Sequence, residues 1–231
     1  MEMKTHIIII ADVSGSMGIM KDIPQQKLNQ FIKEQSDDVL IDYWVFNNTY
    51  KLIFQDKKSN EIIIKYNVTN GSTALYSALG NIIDITSKKF SEIESPNRVI
   101  FVIYTDGEEN ASEDIYIGES GRLLVKSKIE HSQSINNWIF LFLGTNIDAI
   151  QTGSNIGISQ QTCINYDSSE NGYNNVFRSA SNVINKIKST DITKSHEEII
   201  TQVAFTDIDR ISSMYKNIQL DEPVAKRIKY I

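Results

Sequence analysis

The most constraining feature of the chain is an apolar run that ends abruptly in polar residues. Four consecutive isoleucines at positions 7–10 lead into Asp12, Ser14 and Ser16. A continuous β-branched run of this length is typical of a strand that is covered on both faces, as in a parallel sheet between two layers of helices. Ligands of such sheets bind beyond the carboxyl ends of the strands, so we predict that the three polar side chains line a site.

Two further segments carry oxygen ligands of the same kind. Residues 70–73 (Asn-Gly-Ser-Thr) place the Thr73 hydroxyl at the head of a helical pattern, and the apolar strand predicted at 99–104 is followed by Thr105, Asp106 and Gly107. Carboxylates and hydroxyls without neighbouring thiolates or imidazoles are the ligands of hard cations. The cation predicted from this chemistry is Mg²⁺, with Mn²⁺ or Ca²⁺ as alternatives, rather than zinc or copper.

Together the three segments resemble the von Willebrand factor A (vWA) family and its metal-ion-dependent adhesion site (MIDAS). The family pattern is Asp-x-Ser-x-Ser, a later Thr, and an Asp-Gly after the fourth strand. The ordered set is far more specific than the first triplet alone, and the resemblance covers roughly residues 4 to 188. It implies that five residues of this chain form the metal site: Asp12, Ser14, Ser16, Thr73 and Asp106.

The resemblance also implies a fold, and the chain read in order agrees with it. The implied fold is α/β and Rossmann-like: a doubly wound, mainly parallel six-stranded sheet with one antiparallel edge strand and helices on both faces. Pro24 opens a helical pattern that is predicted to end near residues 37–38, and strands at 39–46 and 50–54 are close enough to form a hairpin. The remaining elements are predicted as strands at 99–104, 138–143 and 163–166 and as helices from 73, at 122–132 and at 176–187.

Two of the metal-site candidates have a simpler structural alternative. Threonine is a favoured N-cap, so Thr73, predicted at or near the start of its helix, could serve only as a cap. Asp106 followed by Gly107 could be an ordinary turn. Both alternatives remain open from the sequence alone.

Other polar residues near the same edge of the sheet are predicted to have structural roles. Asn146 and Asp148 follow the fifth strand, and we predict that they form a turn or cap a helix. Glu108 and Glu109 are predicted to face water.

The chain is predicted to contain two segments. Residues 1–189 form the vWA domain, and residues 190–231 form a C-terminal helical extension. Apolar residues of the extension, from Ile199 to Tyr215 and Ile218, repeat at helical spacing, so one face must be buried. We predict that this face packs on the domain rather than on a partner.

Composition limits the classes of function. A net charge of −6 argues against a protein whose whole surface attracts nucleic acid, although it leaves a local basic patch open. Cys163 is the single cysteine, which excludes an internal disulfide framework. Without a secretory signal or an apolar segment of membrane length, the sequence predicts a cytoplasmic protein with no membrane partner. The excess of Ile, Asn and Lys indicates an AT-rich coding sequence, as in a bacterium or a phage.

The resemblance implies a divalent-metal-dependent, intracellular protein-binding module and not an enzyme. An Asp or Glu of a protein partner would complete the metal shell, within a multiprotein or AAA+ ATPase-linked assembly. One alternative is a metal-dependent phosphotransferase or hydrolase, which is disfavoured because Ser14 stands where a second Asp would act as general acid. Another alternative is an RNA-binding vWA protein, which the acidic charge balance disfavours.

Overall fold

A six-stranded sheet forms the centre of the computed structural model, which describes residues 4–20, 22–69, 71–92, 97–191 and 193–214. In chain order the strands are β1 (Lys4–Asp12), β2 (Val39–Phe46), β3 (Tyr50–Lys57), β4 (Asn97–Thr105), β5 (Ile139–Gly144) and β6 (Cys163–Asn165). Their spatial order is β3-β2-β1-β4-β5-β6, and every neighbouring pair is parallel except β2 with β3. The predicted mainly parallel sheet with one antiparallel edge strand is therefore confirmed.

The isoleucine run lies in the middle of this sheet. β1 pairs with β2 on one side and with β4 on the other, and all four isoleucines are completely buried. Ile7 and Ile9 belong to the core on one face, whereas Ile8 and Ile10 belong to the core on the other. Each buried isoleucine contributes roughly 2 kcal/mol of transfer free energy, which explains why the run is apolar at every position.

Helices cover both faces of the sheet, which completes the predicted doubly wound arrangement. They are α1 (Ile23–Lys33), α2 (Leu75–Ser91), α3 (Gly118–Asn136), α4 (Ala149–Asn155), α5 (Glu170–Ser189), α6 (His196–Val203) and α7 (Asp207–Met214). The core with Ile7 and Ile9 contains side chains of α1, α5 and α6, and the core with Ile8 and Ile10 contains side chains of α2, α3 and α4. None of the helices in the described ranges has the length and apolar character needed to cross a membrane.

The predicted end of α1 is wrong. The helix ends at Lys33, and Gln35 and Val39 close short turns onto Ile32 and Ser36 before β2 begins. Asp37 and Asp38, near which the helix was predicted to end, lie beyond it, and Asp38 pairs with the ammonium of Lys188 at 2.9 Å. The turn preference of Ser and Asp explains why the helix ends before these residues.

Helix α4 was not predicted. Its seven residues include a glycine, a threonine and a serine, which are weaker helix formers than alanine or leucine. Gly153 is needed there for packing, since a Cβ at this position would lie 2.4 Å from the Sγ of Cys163. Close contact with β6 therefore explains a residue that weakens the helical signal.

The described part of the C-terminal segment packs on the rest of the chain. Ile199 and Val203 of α6 are buried in the same core as α1 and α5. The backbone N–H of Asp167 donates a 2.8 Å hydrogen bond to the carbonyl of Ser213 in α7. The later part of the predicted extension, with Tyr215 and Ile218, lies outside the described residues, and the boundary after residue 189 stays a prediction.

Candidate metal centre

Asp12 is fixed at the end of β1 by two hydrogen bonds. It is fully buried, and its Oδ1 accepts a 2.8 Å hydrogen bond from the backbone N–H of Ser14. The hydroxyl of Thr105, at the end of β4, donates a 2.6 Å hydrogen bond to its Oδ2. The bond from the Ser14 N–H to the Asp12 carboxylate spans two residues, and a bond of this kind turns the chain sharply after the strand. Asp12 is thereby held at the carboxyl edge of the sheet.

A chain of hydrogen bonds connects the first loop to the loop after β4. The hydroxyl oxygens of Ser14 and Ser16 lie 3.3 Å apart. The hydroxyl of Ser16 then donates a 2.7 Å hydrogen bond to Oδ1 of Asp106. Four of the residues in the predicted motif, Asp12 included, therefore lie within two adjoining loops.

Thr73 reaches this group through a close approach between two loops. A Cβ on Gly107 would lie 2.7 Å from the Oγ1 of Thr73, so only glycine permits this contact. The backbone N–H of Gly15 also lies 3.4 Å from the carbonyl oxygen of Gly71, which joins the first loop to the Thr73 loop. The structure thus brings all five predicted side chains to one edge of the sheet.

The alternative that Thr73 only caps α2 is wrong. The helix begins at Leu75, its N-cap position is Ala74, and no side chain at that position makes a capping hydrogen bond. The N–H groups of Tyr76 and Ser77 bond instead to side chains of the loop that follows β4. The Thr73 hydroxyl is therefore not committed to the helix.

Glu109 supplies the cap that Thr73 does not, and the prediction that it faces water is wrong. Its Oε2 accepts hydrogen bonds from the Tyr76 N–H at 2.8 Å and the Ser112 hydroxyl at 2.7 Å. Its Oε1 accepts from the backbone N–H groups of Ala111 and Ser112 at 2.9 and 2.7 Å. A carboxylate at a helix N-terminus satisfies free N–H groups and faces the positive end of the helix dipole. Glu108 is exposed, as predicted.

Asn110 ties Thr73 to the same loop from both sides of its backbone. The Thr73 N–H donates a 2.8 Å hydrogen bond to the side-chain carbonyl of Asn110, and the Asn110 N–H donates a 3.0 Å bond to the Thr73 carbonyl. Together with Glu109 these bonds form a clamp, residues 109–112 against 73–77, between the loop after β4 and the start of α2. The clamp fixes the position of Thr73 relative to Asp106.

The two carboxylates of the site are held without a balancing cationic side chain. Burial raises the pKa of Asp12, against the hydrogen bonds from Thr105 and Ser14. Burial also raises the pKa of Asp106, and the nearby charge of Asp12 raises it further. The hydrogen bond from the Ser16 hydroxyl opposes both effects. Neither forms a salt bridge within the described ranges. A cation would offset both the burial and the mutual repulsion.

The donor set fits a hard divalent cation. Two carboxylates and three hydroxyls supply only oxygen atoms, which magnesium, manganese and calcium prefer. In the part of the chain that the structure describes, no group of three or more His, Cys, Asp and Glu side chains is arranged to hold a metal. The predicted motif differs from such a group because three of its five side chains are hydroxyls.

A layer of buried tyrosines supports the site from within the core. The hydroxyl of Tyr66 donates a hydrogen bond to the carbonyl of Asp12. The Tyr66 ring lies 5.9 Å from Tyr104, Tyr104 lies 6.4 Å from Tyr173, and Tyr173 lies 5.1 Å from Tyr166, measured between ring centroids. Burial raises the pKa of Tyr173 to about 12 and that of Tyr66 further, so these phenols stay neutral. Sequence reasoning missed this layer.

The structural roles predicted for the residues after β5 are confirmed. Oδ1 of Asp148 accepts a 3.0 Å hydrogen bond from the Gln151 N–H and caps α4. Asn146 has a φ of 59°, in the left-handed region where asparagine is tolerated.

Comparison with solved structures gives three informative similarities. Proximal thread matrix protein 1 from the mussel byssus, in a structure with a zinc-occupied MIDAS motif, has a TM-score of 0.61 at 13% identity, over 78% of this chain and 48% of that one. A von Willebrand factor type A structure from Catenulispora acidiphila has a TM-score of 0.53 at 14% identity, over 78% and 42%. The ArnB paralog VWA2 from Sulfolobus acidocaldarius has a TM-score of 0.51 at 15% identity, over 72% and 41%.

These similarities concern the fold alone. The chain spans less than half the length of each of the three structures. No model of a protein family matches the sequence, and no curated protein matches it.

Proposed function

We propose that this chain, which adopts the vWA fold, is a divalent-metal-dependent protein-binding module whose cation is held by Asp12, Ser14, Ser16, Thr73 and Asp106. One observation carries the proposal: the hydrogen-bonded series from Ser14 through Ser16 to Asp106 gathers hydroxyl and carboxylate oxygens from two loops at the carboxyl edge of the sheet. This is the edge at which ligands of open α/β sheets bind.

Magnesium is the proposed metal, with manganese or calcium as alternatives. Magnesium takes six oxygen ligands in near-octahedral order and often keeps water among them, which suits a site with few charged groups. The mussel protein of similar fold holds zinc in its MIDAS, so zinc belongs among the ions to be tested.

The proposed partner is a protein that contributes an Asp or Glu side chain. Serine and threonine hydroxyls bind a cation without neutralising it, so a site with only two carboxylates retains affinity for another anionic oxygen. The role is therefore binding and not catalysis, and Ser14 provides no acid for phosphoryl transfer. We place this binding step in the cytoplasm, in a multiprotein or AAA+ ATPase-linked assembly.

Calorimetric titration with Mg²⁺, Mn²⁺ and Zn²⁺ tests the metal site. We expect the wild-type chain to bind and the Asp12→Ala and Asp106→Ala variants to lose binding. The matched control is Asp191→Ala, since Asp191 is an exposed aspartate next to Thr190, whose carbonyl bonds to Arg98 at the amino end of β4. Unchanged affinity in both site variants would remove the metal from the proposal.

Affinity capture in Mg²⁺ and in EDTA tests the partner. Thr73→Ala should strongly reduce the amount of partner captured and should change the free energy of unfolding little, because the Thr73 side chain does not cap α2. A partner that binds equally well in EDTA and to Thr73→Ala would place the binding surface elsewhere.

A further inference from the structure

Residues 61–67, between β3 and α2, form an extended segment that belongs to none of the six strands. Its even-numbered side chains, Ile62, Ile64 and Tyr66, are at most 7% exposed and lie in the core, whereas its odd-numbered side chains are exposed. Alternation with a period of two is typical of a β-strand. The segment therefore has the geometry of a strand, although no strand of the sheet pairs with it.

Side chains of α1 take the place of a neighbouring strand along one edge of this segment. Asn29 bonds to both backbone groups of Ile64, because its Nδ2 donates to the carbonyl at 2.9 Å and its Oδ1 accepts from the N–H at 2.8 Å. The N–H of Tyr66 donates a 2.8 Å hydrogen bond to Oε1 of Gln25. The edge that faces α1 is thus satisfied by side-chain amides.

The opposite edge of the segment is open. Successive residues of an extended chain direct their backbone groups to opposite edges, so the N–H and C=O groups of Ile63 and Lys65 point away from α1. These groups make no hydrogen bond with any residue that the structure describes. Ile63 is 83% exposed, more than any other large apolar side chain in the described ranges. An unpaired edge with an apolar side chain at its centre is a template for another strand.

The side chains along this edge are complementary to their own reverse order. Glu61 lies two positions before Ile63 and Lys65 lies two positions after it, and both charged side chains are exposed. If two copies of the edge pair antiparallel about a two-fold axis at Ile63, each Glu61 lies opposite Lys65 of the other copy. The Cβ atoms of such opposite residues are about 5 Å apart, which is within reach of an ion pair. A register centred on Glu61 or on Lys65 would instead place like charges opposite each other.

We propose that residues 61–67 form a homodimer interface, in which this edge pairs with the same edge of a second copy, antiparallel and centred on Ile63. The occupant is a second copy because the charges flanking Ile63 match their own reverse order. The paired segment is short, so the expected dimer is weak and depends on concentration. None of the five residues proposed to hold the metal lies in the segment, so the dimer should form equally in Mg²⁺ and in EDTA.

Sedimentation equilibrium of the full chain, from micromolar to millimolar concentration, tests the interface. The wild-type chain should pass from monomer to dimer in this range. Lys65→Glu and Glu61→Lys each place like charges opposite each other, so each variant alone should dimerise at least about tenfold more weakly. A mixture of the two variants restores both ion pairs and should form a heterodimer with nearly the wild-type affinity.

Lys51→Glu is the matched control, since Lys51 is an exposed lysine on β3, the edge strand of the main sheet. It should leave the dimer unchanged. Thermal melts show whether Glu61→Lys is folded, because Oε2 of Glu61 also accepts a 3.0 Å hydrogen bond from the Lys58 N–H. If it is not folded, Ile63→Asp replaces it, since that variant places two carboxylates at the axis and should also weaken the dimer.

Amide hydrogen exchange locates the interface. The amide hydrogens of Ile63 and Lys65 should exchange more slowly as the chain concentration rises, because each gains an acceptor in the dimer. A chain that stays monomeric at millimolar concentration overturns the inference, and so does a dimer that Lys65→Glu leaves intact or that Lys51→Glu disrupts. Dimerisation that requires Mg²⁺ overturns it as well, since the metal site would then provide the contact.

Discussion

The hydroxyl of Ser16 donates a 2.7 Å hydrogen bond to Asp106, which lies 90 positions further along the chain. This bond is the direct side-chain link between the loop after β1 and the carboxylate after β4. It partly compensates the charge of Asp106, whose pKa is nevertheless raised by burial and by Asp12. The metal-free site therefore holds two carboxylates in an unfavourable charged state.

Asp106→Asn should raise the melting temperature of the metal-free protein at neutral pH. The folded-state pKa of Asp106 lies above its unfolded value, so its contribution to stability is present below the unfolded pKa and is lost as pH rises through the folded pKa. Melts in EDTA should thus show a larger advantage of the variant at pH 7 than near pH 4, the ordinary aspartate pKa being about 3.9.

Asp191→Asn is the control for this experiment. Hydrogen bonds from Thr193 lower the pKa of Asp191, so the effect of this substitution on stability should have the opposite pH dependence. An Asp106→Asn advantage that is the same at both pH values would contradict the account of the site.

Glu109→Ala should reduce the free energy of unfolding by about 1–2 kcal/mol, because the N–H of Tyr76 and two loop N–H groups lose their acceptor. Chemical denaturation measures the change. Glu108→Ala, at the exposed neighbouring position, should change the free energy by less than about 0.5 kcal/mol. Equal effects of the two substitutions would show that the clamp does not stabilise the loop.

Tyr66→Phe should lower the free energy of unfolding by about 1 kcal/mol, because the carbonyl of Asp12 loses a buried hydrogen bond. Tyr43→Phe is the matched control, since the Tyr43 hydroxyl is buried with no hydrogen-bond partner among the described residues. Removing that hydroxyl should be neutral or stabilising. A Tyr66→Phe variant as stable as wild type in urea would show that the hydrogen bond from Tyr66 to Asp12 does not stabilise the protein.

His196 should make the protein less stable as pH falls. Burial lowers its pKa from the ordinary 6.5, so its contribution is present above the unfolded pKa and is lost as pH falls through 6.5 towards the folded value. His196→Gln should therefore lose less stability than wild type between pH 7.5 and 5.5 in urea titrations. His131→Gln, at an exposed position of α3, should behave as wild type. Parallel pH profiles for wild type and His196→Gln would refute the prediction.

Residues 193–214 should resist limited proteolysis. Arg210 of α7 donates hydrogen bonds to the carbonyls of Cys163 and Gln160 at 2.7 and 2.8 Å, and Phe205 is buried. Mass spectrometry of the fragments should find this segment in the stable core. Rapid cleavage near Thr190 with loss of α6 and α7 would show that the packing is weak.

Sequence reasoning succeeded where the signal lies within one segment. β1 and β4 are apolar at nearly every position because helices cover both faces, and the residues that follow them must share an edge of a parallel sheet. It failed for Glu109, whose carboxylate meets the N–H of Tyr76 across 33 positions of chain. Neither helical periodicity nor a capping pattern records such a contact, because tertiary structure creates it. The same contact is why Thr73 is free of the capping role that its position suggested.

The clamp between Glu109, Asn110 and the start of α2 means that hydrogen bonds within the protein hold two loops of the proposed metal site, the Thr73 loop and the loop after β4, against each other. The entropic cost of ordering these loops is therefore met when the protein folds and not when the ion binds. Ion exchange should then be limited by dehydration of the ion, and amide hydrogen exchange in residues 109–112 should be nearly the same with and without it. A partner would meet a rigid surface whose shape is set before the cation arrives, and the cation would act as a switch of charge rather than of conformation.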